Sequence, residues 1–206
     1  MNAAELDAVT LDAHGTLVRL IDPVPGLMEV LAERGVERTP EVVLAGFRTE
    51  SAHYMPRVSE GHDAASLARL RRDCAGVFLH TVGADLDPEE FGPVYAGALR
   101  FEVLPGVVDS LERLRALGVS LAVVGNWDFS LGARLEEVGL ARYFSLVVHA
   151  ARKPAPGGIV RALEQLGVGP GRALHIGDGE VDEQAARAAG TRFASAPVAD
   201  AVAALA

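Results

Sequence analysis

Residues 8–17 read Ala-Val-Thr-Leu-Asp-Ala-His-Gly-Thr-Leu, and the interpretation of the whole chain starts from them. The first four residues are apolar or β-branched, which predicts a short buried strand that ends at Asp12. Gly15 follows as a turn signal. Because one strand cannot bury both of its faces alone, this strand must pair with strands that lie further along the chain.

After residue 104, predicted helices alternate with short apolar strands. The expected strands are 120–124, 144–148, 173–176 and a short one near 191–193, and the expected helices are 107–117, 129–138, 157–166 and 181–189. This alternation is typical of a parallel sheet covered by helices on both faces. The predicted fold class is therefore α/β, with a Rossmann-like parallel-sheet core that includes the strand at 8–12.

The stretch between these parts has helix-like segments and no convincing strand pattern. The expected helices are 26–33, 40–54, 64–79 and 88–99. The chain is therefore expected to begin the core, leave it for an inserted helical cap, and return. The predicted boundaries are 1–19 and 102–206 for the core and 20–101 for the cap.

Composition excludes several classes of partner. A formal net charge of -9 disfavours nucleic-acid binding, which depends on basic surface. Apolar runs fall well short of the roughly 20 residues of a membrane helix, so no membrane partner is expected. The single Cys74 fits a reducing compartment, and the acidic N-terminus does not resemble a signal peptide. We expect a cytoplasmic monomer or homodimer.

Polar side chains follow the predicted strands, at the sheet edge where parallel α/β proteins bind ligands. Asp12 and Asp178 are expected to meet there, and Asp182 lies one helical turn beyond Asp178. Carboxylate oxygens suit Mg²⁺, either as direct ligands or by orienting them. Lys153 offers a positive charge that would neutralise a phosphate, and Thr16 and Asn126 add a hydroxyl and an amide. His175 lies inside a strand and is expected to be a buried, hydrogen-bonded residue.

Four segments in this order resemble the motifs of the haloacid dehalogenase superfamily, in the subfamily that carries a helical cap after the first strand. They are Asp12-Ala13-His14-Gly15-Thr16-Leu17, Val124-Gly125-Asn126-Trp127-Asp128, Lys153-Pro154 and His175-Ile176-Gly177-Asp178-Gly179-Glu180-Val181-Asp182. The chain is most similar to the branch related to Reg-2 and the human haloacid-dehalogenase-like proteins.

The resemblance implies a role for each of these residues. Asp12 would be the nucleophile, and the backbone carbonyl of His14 would join Asp12 and Asp178 as a magnesium ligand, with Asp182 as a further metal residue. Lys153 would stabilise the transferred phosphoryl group. Substrate binding would fall to the remaining polar or loop residues, which are Thr16, Gly125 and Asn126.

Three positions depart from the superfamily pattern. His14 stands where phosphatases usually carry an acid/base aspartate, and Gly125 stands where a serine or threonine usually binds phosphate. The segment 149–153 is shorter than usual, which leaves open a displacement of Lys153, with Arg152 partly replacing it. Since histidine titrates near neutrality, our hypothesis is that His14 acts as the acid/base.

The predicted function is hydrolysis of a small phosphorylated metabolite by a Mg²⁺-dependent phosphatase, through an aspartyl-phosphate on Asp12. Two alternatives stay open. One is a 2-haloacid dehalogenase-type hydrolase that cleaves a carbon–halogen bond, which the acidic pair Asp178 and Asp182 disfavours. The other is a catalytically altered member of the superfamily, which His14 and Gly125 motivate.

Overall fold

The computed structural model describes residues 5–205, and residues 1–4 of the acidic N-terminal segment lie outside that range. Its strands are Ala8–Leu11 (β1), Val18–Leu20 (β2), Phe101–Val103 (β3), Ser120–Val124 (β4), Leu146–Val148 (β5), Ala173–Gly177 (β6) and Arg192–Ser195 (β7). Its α-helices are Pro23–Ala32 (α1), Pro40–Tyr54 (α2), Ala64–Val82 (α3), Pro88–Ala98 (α4), Val107–Ala116 (α5), Leu131–Glu137 (α6), Gly157–Leu166 (α7), Glu180–Ala189 (α8) and Val198–Ala203 (α9). Short 3₁₀ helices occur at Met55–Glu60, Ala141–Tyr143 and Pro170–Arg172.

The main sheet has five parallel strands in the order β5-β4-β1-β6-β7. The strand predicted at 8–12 is observed as β1, the central strand between β4 and β6, and all four residues of Ala8–Leu11 are buried. This confirms the predicted α/β parallel-sheet core. Since the carboxyl ends of parallel strands face one edge, the residues that follow β1, β4, β5 and β6 are gathered there.

The core of the sheet is aliphatic and poor in aromatic rings. Val124 and Val148 of the sheet pack with Ile159 and Leu163 of α7, and Ala185 belongs to the same buried cluster. Burial of both sheet faces explains why these strands read as continuous apolar runs rather than as alternating ones.

The chain divides into two compact units, Met1–Arg19 with Glu102–Ala206, and Leu20–Phe101. The second unit is helical. Its core contains Phe78, Phe91 and Tyr95, whose ring centroids lie 4.9 to 6.3 Å apart. The longest helix in this unit, α3, starts with a capping box formed by Asp63 and Ser66 and ends at Gly83 in the left-handed region.

Two strands and one α-helix among the described residues were not predicted. β2 and β3 form a separate two-stranded sheet of three residues each, too short to produce a periodic signal. α9 is a six-residue helix of mostly alanine and valine. None of the helices in residues 5–205 is long and apolar enough to cross a membrane.

Candidate active site

Asp12 lies directly after β1 and is buried. Its backbone N–H donates to Ile176 O at 2.9 Å, which extends the pairing with β6 by one residue. Its Oδ1 contacts the Lys153 ammonium. Burial raises the pKa of Asp12, and the charge of Lys153 opposes that rise. The carboxylate is thus held at the sheet edge with a fixed cation beside it.

Gly15 gives the loop after Asp12 its shape and leaves space for Asp178. Its φ of +79° is in the left-handed region, and an ideal Cβ at this position would lie 2.0 Å from Asp178 Oδ2. The N–H of Gly15 donates to Val18 O at 2.8 Å, which closes the loop. Only glycine satisfies both the backbone conformation and the close approach of a carboxylate.

Three carboxylates come together at this edge. Asp12, Asp178 and Asp182 each offer a ligand oxygen, and these oxygens all lie within 4.8 Å of one another. Asp12 and Asp182 are buried and Asp178 is exposed. An all-oxygen set of this kind suits a hard divalent cation such as Mg²⁺. Lys153 supplies one positive charge for three carboxylates, so a further cation would relieve their mutual repulsion.

Asp182 belongs to the first turn of α8, and its side chain is enclosed. Its Oδ1 contacts the Lys153 ammonium and lies 3.2 Å from His175 Nε2. An ideal Cβ on Gly177 would meet Asp182 Cβ and Cγ at 2.4 Å, so the backbone leaves space for this side chain. Burial opposes the charge on Asp182, but His175 and Lys153 together hold the pKa of Asp182 below its usual value.

The short segment does not displace Lys153. The Lys153 side chain is buried, with its ammonium between Asp12 and Asp182, whereas Arg152 is exposed. The physical reason is a tight loop. Ala150 and Arg152 adopt φ values of 49° and 57°, the left-handed region that non-glycine residues rarely occupy. This conformation shortens the path from β5 to Lys153.

Backbone pairing and a side-chain amide hold that loop in place. Ala150 N donates to Trp127 O at 2.8 Å, and Ala151 N donates to Gly125 O at 3.2 Å. Asn126 Nδ2 donates to Lys153 O at 2.9 Å, and Lys153 N donates to Asn126 Oδ1 at 2.7 Å. The Asn126 amide, which was expected to bind substrate, therefore bonds to the main chain of Lys153. One N–H of Asn126 Nδ2 is used in this hydrogen bond.

The other expected substrate residues lie on the same loops. Thr16 is buried, and its Oγ1 has no hydrogen-bond partner among the described residues. A buried hydroxyl without a partner is costly, and it fits a position that a ligand would complete. Gly125 follows β4, and an ideal Cβ there would lie 3.2 Å from Leu131 Cδ2 and 3.6 Å from Ala13 Cβ.

His14 lies on the loop after Asp12 with its side chain exposed. Its backbone forms an isolated parallel bridge with Val18. Within residues 5–205, its ring is not a member of the carboxylate group around Asp12. The side chain is exposed to solvent, and its acid/base role stays a prediction.

A buried polar pair, His175 and Thr10, lies next to the carboxylates, and only His175 was expected from the sequence. His175 is buried and hydrogen-bonded, as expected for a histidine inside a strand. Its Nδ1 lies 2.8 Å from the Oγ1 of Thr10, which had not been singled out. Thr10 and His175 occupy matching positions of β1 and β6. Two polar residues at paired positions of adjacent, otherwise apolar strands are the signal that could have identified them.

Comparisons with known proteins show the family to which this chain belongs. The haloacid dehalogenase-like hydrolase family profile matches residues 6–190. Phosphoglycolate phosphatase 1 of Pseudomonas aeruginosa is 30% identical over 197 residues, which cover 91% of this chain and 68% of that protein. Human haloacid dehalogenase-like hydrolase domain-containing protein 3 is 28% identical, over 90% of this chain and 80% of its own. A haloacid-dehalogenase-superfamily hydrolase structure from Geobacter sulfurreducens superposes with a TM-score of 0.63 at 24% identity, covering 100% of this chain and 99% of its own.

Proposed function

Because the chain belongs to the haloacid dehalogenase-like hydrolase family, we propose that it is a Mg²⁺-dependent phosphatase that hydrolyses a small phosphorylated metabolite. The observation that carries the proposal is the group formed by Asp12, Asp178 and Asp182, with ligand oxygens within 4.8 Å of one another and the Lys153 ammonium between two of them. A carbon–halogen hydrolase that works without a metal has no evident use for the exposed carboxylate of Asp178 in this group.

The donor set of the site fits Mg²⁺. Asp12, Asp178 and Asp182 would hold the ion, and the backbone carbonyl of His14 would join them as the resemblance implies. When bound, Mg²⁺ supplies positive charge that offsets the repulsion between an anionic nucleophile and an anionic phosphate. The buried Thr16 hydroxyl, which lacks a partner in the described structure, is a further group that a bound phosphate could engage.

We assign the nucleophile to Asp12. A carboxylate oxygen of Asp12 bonds to phosphorus while the ester P–O bond breaks, and the leaving alkoxide takes a proton from His14. Water then attacks the acyl phosphate, His14 takes a proton from that water, and Asp12 and inorganic phosphate are released. Lys153 neutralises charge on Asp12 and on the phosphoryl group throughout.

We propose that the helical unit Leu20–Phe101 is the cap expected from the sequence. Relatives named phosphoglycolate phosphatase make 2-phosphoglycolate the first substrate to test. The matched stretch covers 68% of the Pseudomonas aeruginosa relative, so the activity in that relative's name is carried over here as a proposal. The cytoplasmic location and the monomeric or homodimeric state stay predictions.

Phosphate release from 2-phosphoglycolate and a panel of other phosphomonoesters, with and without Mg²⁺, tests the proposal. We expect release to require both the ion and Asp12, so the Asp12→Asn variant should be inactive. Val181→Ala, an exposed substitution on α8, is the matched control and should retain activity. Absence of release from a folded protein that binds Mg²⁺ would favour a catalytically altered member of the family.

A further inference from the structure

His175 is a fully buried polar residue in the centre of the sheet, next to the proposed site. Its ring lies between Thr10 on β1 and Asp182 on α8, with Thr10 Oγ1 2.8 Å from Nδ1 and Asp182 Oδ1 3.2 Å from Nε2. Both ring nitrogens thus have a polar partner. A buried imidazole with both nitrogens engaged is fixed in rotation as well as in position.

The partners determine which nitrogen carries a proton. Asp182 Oδ1 is an acceptor, so the Nε2 that faces it must donate. Thr10 satisfies the opposite nitrogen in either protonation state of the ring, because its hydroxyl can donate to a bare Nδ1 or accept from a protonated one. A neutral ring with its proton on Nδ1 would place a lone pair against a buried carboxylate, which costs free energy.

Asp182 Oδ1 accepts from both His175 and the Lys153 ammonium. On its other side, the Gly177 backbone packs against the Asp182 side chain so closely that an added Cβ would lie 2.4 Å from it. The carboxylate is therefore held from three directions. Since Lys153 bridges Asp182 and Asp12, the orientation of Asp182 also sets where the ammonium stands relative to Asp12.

We propose that His175, held by Thr10, is a positioning residue that orients Asp182. Through Asp182, His175 also sets the position of Lys153 beside Asp12. This inference rests on the proposed function. An aliphatic side chain at this fully enclosed strand position would need no hydrogen-bond partner. The polar ring has a cost there unless its hydrogen bonds serve the site.

The test compares wild type with His175→Leu, which removes the donor, and His175→Gln, which keeps an N–H near the Nε2 position. Mg²⁺ affinity is measured by titration calorimetry, alongside kcat, KM and the melting temperature. Loss of a residue that orients a metal ligand costs about 10- to 100-fold in affinity or rate, so we expect that fall in Mg²⁺ affinity and kcat for His175→Leu, with KM little changed. His175→Gln should restore most of both.

Thr10→Val and Thr10→Ser form a second matched pair that leaves the ring in place. Thr10→Val should lower Mg²⁺ affinity by less than His175→Leu does, and Thr10→Ser should retain it. Nitrogen-15 NMR of the histidine rings should show a proton on Nε2 of His175 in wild type. This second pair and the NMR measurement decide the matter if His175→Leu does not fold.

Wild-type Mg²⁺ affinity and kcat in a folded His175→Leu would overturn the positioning role, as would equal losses in His175→Leu and His175→Gln. A neutral ring protonated on Nδ1 would also overturn it. If wild type binds Mg²⁺ but releases no phosphate, the phosphatase proposal fails, and the affinity series still decides the role of His175. If wild type binds no Mg²⁺, the difference in kcat between His175→Leu and His175→Gln decides it.

Discussion

Asn126 and Lys153 hold each other through two reciprocal hydrogen bonds, one of 2.9 Å from Asn126 Nδ2 to Lys153 O and one of 2.7 Å from Lys153 N to Asn126 Oδ1. The side chain of Asn126, which lies just after β4, thus fixes the backbone from which the Lys153 side chain extends. Together with the left-handed conformation of Ala150 and Arg152, this clamp explains how a short loop still delivers an ammonium to Asp12.

Asn126→Ala removes both bonds and frees the main chain of Lys153. We expect kcat to fall by about 100-fold, because displacing a catalytic group by roughly 1 Å has that effect. Stability should fall by about 1–3 kcal/mol from two lost bonds. Steady-state kinetics and thermal unfolding measure the two effects. Gln184→Ala, which removes an exposed amide bonded to Glu180, is the control; equal kcat values for the two variants would contradict the clamp.

Gly15→Ala should abolish Mg²⁺-dependent phosphate release. An added Cβ would lie 2.0 Å from Asp178 Oδ2 and force that carboxylate away. Gly118→Ala is a matched control, since Gly118 has a similar φ of +74° and nothing within 4 Å of an added Cβ. Each substitution carries about 1–2 kcal/mol of backbone strain.

The difference between these two variants isolates the contact with Asp178. Activity and the rise in melting temperature on adding Mg²⁺ are the measurements. Retention of both in Gly15→Ala, at a level equal to Gly118→Ala, would show that Asp178 does not depend on this space.

Gly125→Ser tests whether the missing hydroxyl limits phosphate binding. An added Cβ would lie 3.2 Å from the end of the Leu131 side chain, a contact that a small shift of that flexible group relieves. One new hydrogen bond of about 1 kcal/mol would raise kcat/KM by roughly fivefold. Gly125→Ala adds the carbon without the hydroxyl. If both variants change kcat/KM equally, the hydroxyl has no part in the effect.

Glu50 provides a prediction about pH and stability in the helical unit. Burial raises the pKa of Glu50, while the Tyr95 hydroxyl, which donates to it at 2.8 Å, partly opposes that rise. A carboxyl whose pKa is higher in the folded state contributes stability below its unfolded value of 4.5, and this contribution is lost as pH rises through the folded value. Ionisation of Glu50 is therefore a cost to the folded state that develops as pH rises above 4.5.

Glu50→Gln should accordingly raise the melting temperature near neutral pH and flatten its dependence on pH above 4.5. The glutamine carbonyl can still accept from Tyr95. Thermal unfolding across the pH range is the measurement, with the exposed Glu90→Gln as the control. A loss of stability in Glu50→Gln at neutral pH would show that the ionised form is the favourable one.

Much of the fold could be predicted from the chain alone, because the strands are buried on both faces and their apolar runs alternate with helical segments. The helices 40–54 and 157–166 and the strand 120–124 coincide with α2, α7 and β4. The carboxylate pairing of Asp12 with Asp178 was also accessible, because strand ends in a parallel sheet meet at one edge.

Other parts depended on contacts that no local pattern encodes. The place of Lys153 results from two left-handed residues and from Asn126, which lies 27 positions away in the chain. The pairing of Thr10 with His175 depends on which strands become neighbours and in what register. β2 and β3 are three residues each and form only by pairing with one another.

The most direct test of the central claim is whether Asp12 becomes phosphorylated during turnover. Wild-type protein is mixed with Mg²⁺ and the best substrate of the panel, quenched in acid within one turnover, and digested for mass spectrometry. We predict one phosphoryl group on the peptide that contains Asp12, and none in Asp12→Asn. Wild-type rates of phosphate release by Asp12→Asn, with no phosphopeptide in either protein, would contradict the assignment of Asp12 as the nucleophile.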